Sequence, residues 1–573
     1  MKRYIKLLVN VFFSFICILP VNGQVTQESQ PTLPQIKLED YTIIGLEKVV
    51  LPHKVRRTIS KKLTFKWSQN NSITSKESPS ISFKSDEKPG MTFLNNFTHI
   101  DALLDYGSFN TFNAKLNAKL KTGDIIPFIG VDFVNSNGHI DNADYAKAKI
   151  NGGIEGRLWQ NSVVQLTTQF RSDRQSLWSG LIPADISRRT KATVWHWQAS
   201  LEQELSEQFS LFAGGYFQSF DFENRFSYNQ NYLSVNTGVA FNNNNTSIKV
   251  LGELDHNNSK REFENTNLNN ASIFWKTDYS LYSSTLRADQ KINNISLSAG
   301  INAQQLEVSN DSKSYLYPMT EVSFNGQNTF YLSVRYQPGL AFQSMDQMLR
   351  EYPLADFGSY QPLKLKHKIV GVLDIRASTD LTLQISGNYN EFENYPIVYS
   401  SYVDSSFIIN PQLLTSTLQY VQPYWEYRYI NDAKIWDNTF RMTLHLPNKI
   451  LLEGWLTYRW NEINALDERD SPVSGNEIPY LPVLSSTIKF EWYFLQKHKL
   501  QISGKYVGER YNDVANLIKL KDYFLLGVSV DFVIAKQFTL RFFGNNLLDQ
   551  NYELFHSYSA PGISGGAGIE IKL

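Results

Sequence analysis

Apolar and polar residues alternate with a period of two in this chain, over runs of about ten residues, from residue 98 to the last. Between Phe112 and Lys121 the apolar set is Phe112, Ala114, Leu116, Ala118 and Leu120, interleaved with Asn113, Lys115, Asn117, Lys119 and Lys121. Side chains alternate faces along a strand, so such a segment has one greasy face and one wet face. Phe330–Gln337, Leu381–Asn388, Phe440–Leu446, Thr487–Phe494 and Phe524–Phe532 repeat the pattern. Asn137-Gly138, Asn293-Asn294 and Asn325-Gly326 punctuate it as turns. A soluble sandwich or propeller, a solenoid and a membrane barrel all contain many alternating strands. No fixed-length repeat with a recurring signature is visible, which disfavours propellers and solenoids. Runs of about 9–13 residues exceed the ~5–6 of sandwich strands and match a tilted strand crossing a bilayer.

Composition agrees. Charged residues are 19% of the chain and aromatics 14%. Trp195 and Trp197, Tyr458 and Trp460, and Trp492 and Tyr493 sit where interfacial girdles are expected. No run of 18 apolar residues follows residue 23, so a membrane helix is not expected there. The predicted fold is all-β, a transmembrane antiparallel β-barrel over residues 98–573. About 20 alternating segments are countable, and 22 strands would use roughly 22 residues each; sixteen with longer loops also fits. With 55 Lys+Arg against 55 Asp+Glu there is no cationic surplus for a polyanion, so nucleic acid is not an expected partner.

Residues 1–23 read as a signal peptide. Lys2, Arg3 and Lys6 form the positive start, Leu7–Leu19 the apolar stretch, and cleavage is expected between Gly23 and Gln24. The only cysteine, Cys17, lies inside it, so the exported chain has no disulfide and no thiolate ligand. Residues 24–97 form an N-terminal periplasmic segment. Leu38–Leu51 is apolar with acidic entries, and His53, Lys54, Arg56, Arg57, Lys61 and Lys62 follow Pro52. A strand-adding docking segment for a partner, a reduced plug and a disordered linker are all compatible with it.

The C-terminal third carries a more specific likeness. Tyr506-Val507-Gly508-Glu509-Arg510-Tyr511-Asn512-Asp513 is followed by Leu520-Lys521-Asp522-Tyr523. Then come Asn545-Asn546-Leu547-Leu548-Asp549-Gln550-Asn551-Tyr552-Glu553 and Pro561-Gly562. These resemble the Y-V-G-x-R-Y, N-L-[FL]-D-x-x-Y-E and P-G elements of the last barrel strands of TonB-dependent outer-membrane receptors. Tyr106-Gly107-Ser108-Phe109-Asn110-Thr111 resembles an early strand of the same family. The resemblance implies the outer membrane and its lipid as location, and ligand uptake as function. It departs from the family in two places. Residues 24–97 show no recognisable plug, which leaves coupling to TonB open and suggests a plugless or separately plugged channel. The chain ends in Leu573 where an aromatic is usual, although Ile569, Ile571 and Leu573 still alternate with Glu570 and Lys572.

No local motif points to an enzyme. Gly562-Ile563-Ser564-Gly565-Gly566 matches G-x-S-x-G, but only seven strand-like residues follow, without the helix and the later acid and histidine that motif needs. The nine histidines are scattered, with no metal-ligand spacing, and no cofactor is expected. Lys115, Lys119, Arg335, Arg441, Lys489, Lys505 and Arg541 share wet faces with Glu253, Glu453, Glu491 and Asp531. Such a mixed interior suits a substrate path or charges paired across strands as support. Two functions follow: uptake, with external loops at 222–232 and 391–410, or an anchoring component that recruits a periplasmic partner through 24–97.

Overall fold

A computed structural model describes residues 99–573, apart from 121–123, 140–142, 160, 177–188, 224–226, 244, 263–274, 309–310, 327–328, 352–354, 358–360, 402–423, 466–474, 496 and 556–557. The expected signal peptide, the Gly23–Gln24 cleavage point and the segment 24–97 lie outside the described residues.

Twenty-two strands form the wall. The first six are β1 (His99–Gly107), β2 (Thr111–Lys119), β3 (Ile125–Ser136), β4 (Tyr145–Gly156), β5 (Ser162–Ser176) and β6 (Arg189–Glu204). β7 (Phe209–Glu223), β8 (Ser227–Asn243), β9 (Thr246–Glu262), β10 (Trp275–Ile292), β11 (Ile295–Val308), β12 (Asp311–Gly326) and β13 (Phe330–Tyr336) follow. Next are β14 (Leu363–Arg376), β15 (Leu381–Glu393), β16 (Asp432–Leu446), β17 (Ile450–Ala465) and β18 (Leu484–Phe494). β19 (His498–Val507), β20 (Tyr523–Val533), β21 (Phe538–Asn545) and β22 (Ser564–Lys572) complete it. Each strand pairs antiparallel with the next, and β22 returns to β1 with Leu104 opposite Ile569 and Gly107 opposite Gly566. Ile100 and Leu573 exchange both backbone hydrogen bonds, so the last residue is part of the seam. Glycines let the strands meet there: a Cβ on Gly568 would stand 2.7 Å from the Leu104 carbonyl oxygen. Ser564–Gly566 open the closing strand, and the Gly565 N–H donates to Ser108 Oγ at 2.9 Å. The G-x-S-x-G tract therefore belongs to the barrel seam.

Alternation sorts the two faces. Leu104, Leu116, Ile150, Val250, Leu286, Ile301 and Val334 point outward and are exposed, the arrangement of a lipid-facing belt. Between them Lys249, Asp289, Glu321, Lys489, Asp531 and Glu570 turn inward. Trp195, Trp197, Tyr458 and Trp460 lie outward toward one rim and Trp492 toward the other. Tyr493 departs from expectation: it stands opposite inward-facing Lys499 and so sits on the lumen side, because neighbours in a strand cannot share a face.

The rims differ. At the rim holding residue 99 and Leu573, every connection spans two to five residues. Asn293 (φ 53°) turns one of them, in the left-handed region that asparagine tolerates. At the other rim connections reach 26 residues (337–362) and 38 residues (394–431). Short turns inside and long loops outside orient a bacterial barrel, so the long connections face out. The expected loop at 222–232 is a correction: β7 and β8 run on to residues 223 and 227, leaving three residues between them. Their cross-strand pairs, such as Phe222 with Tyr228, carry the wall beyond the length a bilayer requires. Of 391–410, residues 391–393 end β15, Tyr395–Ser401 form a further strand, and 402–410 lie outside the described residues.

Ile301 stands in the middle of β11 on the outer face. Replacing it with Arg is expected to cost about 2–4 kcal/mol, measured by reversible denaturant unfolding in lipid vesicles.

Candidate functional site: the external mouth of the lumen

The inner wall has two zones. Toward the short-turn rim it is charged, and the charges are paired, most of them across strands. Lys249 reaches Asp289 at 3.4 Å, Arg287 holds Asp289 at 2.7 Å and Glu321 at 3.2 Å, and Arg335 meets Glu321 at 3.1 Å. On the other arc Lys499 lies 3.9 Å from both Glu491 and Asp531, Arg541 is 2.8 Å from Asp531, and Lys489 approaches Glu453 at 4.0 Å. Lys119 pairs with Glu155 at 3.7 Å, and Arg441 stands over the Trp455 ring at 5.9 Å. Lys119, Lys249, Arg287, Arg335, Lys489, Lys499 and Arg541 thus each lie within 4.0 Å of a carboxylate oxygen, the contacts that support across strands requires.

Toward the long-loop rim the lumen becomes apolar and aromatic. Val194 of β6, Phe220 and Phe222 of β7, Tyr228 and Tyr232 of β8 and Tyr279 of β10 pack in one buried cluster. The same cluster takes Phe342, Met345 and Met348 from the connection 337–362, and Val398 and Tyr427 from 394–431. It also takes Tyr480, Leu520 and Phe555, which reach in from the connections after β17, β19 and β21. Wall residues of β6, β7, β8 and β10 thus meet residues of five connections in the mouth.

The connection 337–362 is the centre of this closure. Gly339–Ala341 extends β13 by pairing with Leu363–Leu365 of β14. A seven-residue helix follows, α1 (Met345–Glu351). Ser344 caps it, with Oγ accepting the Gln347 N–H at 3.1 Å. Met345 and Met348 lie three apart, hence on one face, and both are fully buried. The Phe342 ring stacks on Tyr232, centroids 3.5 Å apart and planes within 4°. Gln230 Oε1 accepts the Met345 N–H at 2.9 Å, and Tyr427 donates its hydroxyl to the Met348 carbonyl. Arg171 of β5 pairs with Asp346 while holding Asp173 at 2.8 Å. Under this segment the wall is polar: Gln230 Nε2 donates to Asn257 Oδ1 at 2.9 Å and Tyr232 to Asp255 at 2.7 Å.

The residues singled out by sequence converge beside this cluster, in the connections 508–522 and 546–563. The Gly508 N–H donates to the Leu484 carbonyl at 2.8 Å, and a Cβ there would lie 2.9 Å from that oxygen. Tyr506 faces outward from the end of β19 and donates to Asp522 at 3.0 Å. Arg510 is buried, donates to the Glu553 and Leu554 carbonyls, and stands over the Tyr523 ring at 5.4 Å, so it ties the two connections together. Tyr511 carries the Lys519 ammonium over its ring at 5.8 Å, and the hydrogen bond from Lys519 to Glu509 raises the lysine pKa. Asn546 donates to the Gln550 and Pro561 carbonyls at 2.9 and 3.1 Å, folding 546–561 into a closed turn. Asp549 accepts the Ile563 N–H at 2.9 Å, and bare Gly562 leaves room for that carboxylate. Tyr552 packs on Tyr523 at 4.3 Å, and burial raises its phenol pKa. Leu547 is half exposed. These side chains brace the loops.

Sequence reasoning missed the mouth cluster itself. Its one local signal was Ser344-Met345-Asp346-Gln347, a short capping box, S-x-x-Q, ahead of paired methionines. Among the described residues, no group of His, Cys, Asp or Glu is placed to hold a metal ion, and no helix is long and apolar enough to cross a membrane.

No protein-family model matches the sequence, and no curated protein does. Solved structures do. The barrel is similar to the siderophore receptor PiuA from Acinetobacter baumannii, with TM-score 0.62, 11% identity and coverage of 84% of this chain and 82% of that one. It is similar to the FrpB iron transporter from Neisseria meningitidis at TM-score 0.64 and 9% identity, covering 84% and 83%. The copper transporter OprC gives 0.62 and 10%, covering 83% and 80%. At such identities the likeness is one of fold, a closed antiparallel barrel of 22 strands, which is the architecture the resemblance of the C-terminal motifs implied.

Replacing Arg510 with Lys keeps the charge but removes the planar fork that spans two carbonyls. It is expected to loosen the paired loops by about 1.5–3 kcal/mol, a roughly ten- to hundredfold rise in cleavage within 508–522 and 546–563 under limited proteolysis.

Proposed function

We propose that this chain is an outer-membrane uptake barrel for a ligand too large or too scarce for general porins, with the lumen as its path. The observation that carries the reading is the pairing of a receptor-like 22-strand wall with a mouth closed by its own aromatic and methionine-bearing loops. A wall of that circumference encloses far more than side chains need, so the lumen must be filled, gated or conducting. The structural neighbours are named as a siderophore receptor, an iron transporter and a copper transporter, which favours a metal-bearing small ligand. A plug, in this reading, is supplied by residues 24–97 or by a separate chain. The paired charges of the inner wall also suit a barrel without flux that anchors a periplasmic partner through 24–97, and that is the second reading.

Planar-bilayer conductance separates the two. The segment 342–348 is replaced by Gly and Ser residues of equal number, in a chain beginning at residue 24 and in one beginning at residue 98. Uptake predicts steady ion flow from at least the shorter chain, and silence from the longer alone would make 24–97 the plug. Silence from both, with unheated gel mobility showing folded barrels, contradicts a lumenal path and favours the anchor.

A further inference from the structure

We propose that residues 342–348 are a gate over the lumen, latched to the opposite wall by the ion pair between Arg171 and Asp346. The segment is tethered on both sides, by the pairing of Gly339–Ala341 with β14 before it and by the parallel pairing of Ala355–Phe357 with Trp425–Tyr427 after it. Between those tethers, its holds on β5 and β8 are made by side chains: the Arg171 guanidinium, the Gln230 amide and the Tyr232 ring. No ladder hydrogen bonds join α1 to the wall, so the segment can leave without opening the barrel. A seven-residue helix has too few internal hydrogen bonds to persist unaided, so its order depends on its seat.

The two sides of the latch are unequal. When Asp346 leaves, Arg171 keeps Asp173 at 2.8 Å, so the wall is not left with an unpaired cation. Asp346 itself, nearly buried in the closed form, returns to water. Phe342, Met345 and Met348 oppose release because all three are buried in the mouth cluster. Apolar burial therefore favours the closed state, and the charge pair sets where the segment sits. Discrete packing on one side and solvated freedom on the other is the makeup of a two-state element. The role as a gate rests on the lumen being the uptake path; the seating of the segment does not.

The test reads seating directly. In a chain carrying Cys17→Ser and Met348→Cys, the single thiol replaces a fully buried side chain. Alkylation by a membrane-impermeant maleimide is followed on folded barrel, with folding checked by unheated gel mobility. With Arg171 present, labelling is expected to be slow. Arg171→Gln is expected to raise the rate at least tenfold, and the swap of Arg171→Asp with Asp346→Arg to restore it. Asp346→Asn should give the same rise without altering the wall, which covers the case of Arg171→Gln failing to fold. Fast labelling with Arg171 intact, or a rate indifferent to both neutralisations, overturns the gate. A latched segment in a barrel that never conducts would leave the seating intact and refute only the uptake reading.

Discussion

Backbone hydrogen bonding in a solvent without water governs this structure. An unpaired N–H or carbonyl facing lipid costs several kcal/mol, so a sheet in a bilayer must have no edges. The seam between β1 and β22 meets that demand, down to the double hydrogen bond between Ile100 and Leu573. Other features follow from closure. Strands alternate greasy-out and polar-in, glycines sit where the seam is tight, and a chain whose charged fraction is only 19% has its cations and anions collected on the inner face.

Closure of the sheet creates a second problem, a wide polar bore through the membrane. The two zones of the inner wall are two answers to it. In the inner half, carboxylates and cations lie in cross-strand ladders such as Lys249–Asp289–Arg287–Glu321–Arg335, which stiffen the wall and leave it wettable. In the outer half, apolar side chains from distant loops meet and exclude water. The aromatic stack of Tyr232 and Phe342 lies where loop and wall come together. Hydrophobic burial closes the mouth, and the hydrogen bonds from Gln230 and Tyr427 fix where each segment lies.

Much of the architecture was legible because a strand's period is local. Phe112–Lys119, Phe330–Tyr336 and Phe524–Phe532 each announce their two faces within one segment, and the structure places those faces as read. The charged wet faces were legible too, but their partners were not: Arg335 meets Glu321 through a register that no single strand encodes. The mouth cluster lay further out of reach, since Val194, Tyr279, Met348, Tyr480 and Phe555 come from five distant stretches, each ordinary by itself. The reading of 222–232 as a loop failed for a physical reason. Asparagines signal turns, but here Asn229 and Asn231 sit on a strand that has left the bilayer and faces water, where a polar outer face is what a wall needs.

The most direct test of the account is a single-cysteine scan along β11, Ile295–Val308, with an environment-sensitive fluorophore and brominated lipid as quencher. The account predicts quenching that alternates with every residue, strong at Leu297, Ala299 and Ile301 and weak at Ser298, Gly300 and Asn302. A flat profile, or the same alternation shifted by one residue, would contradict a closed barrel with this face toward lipid.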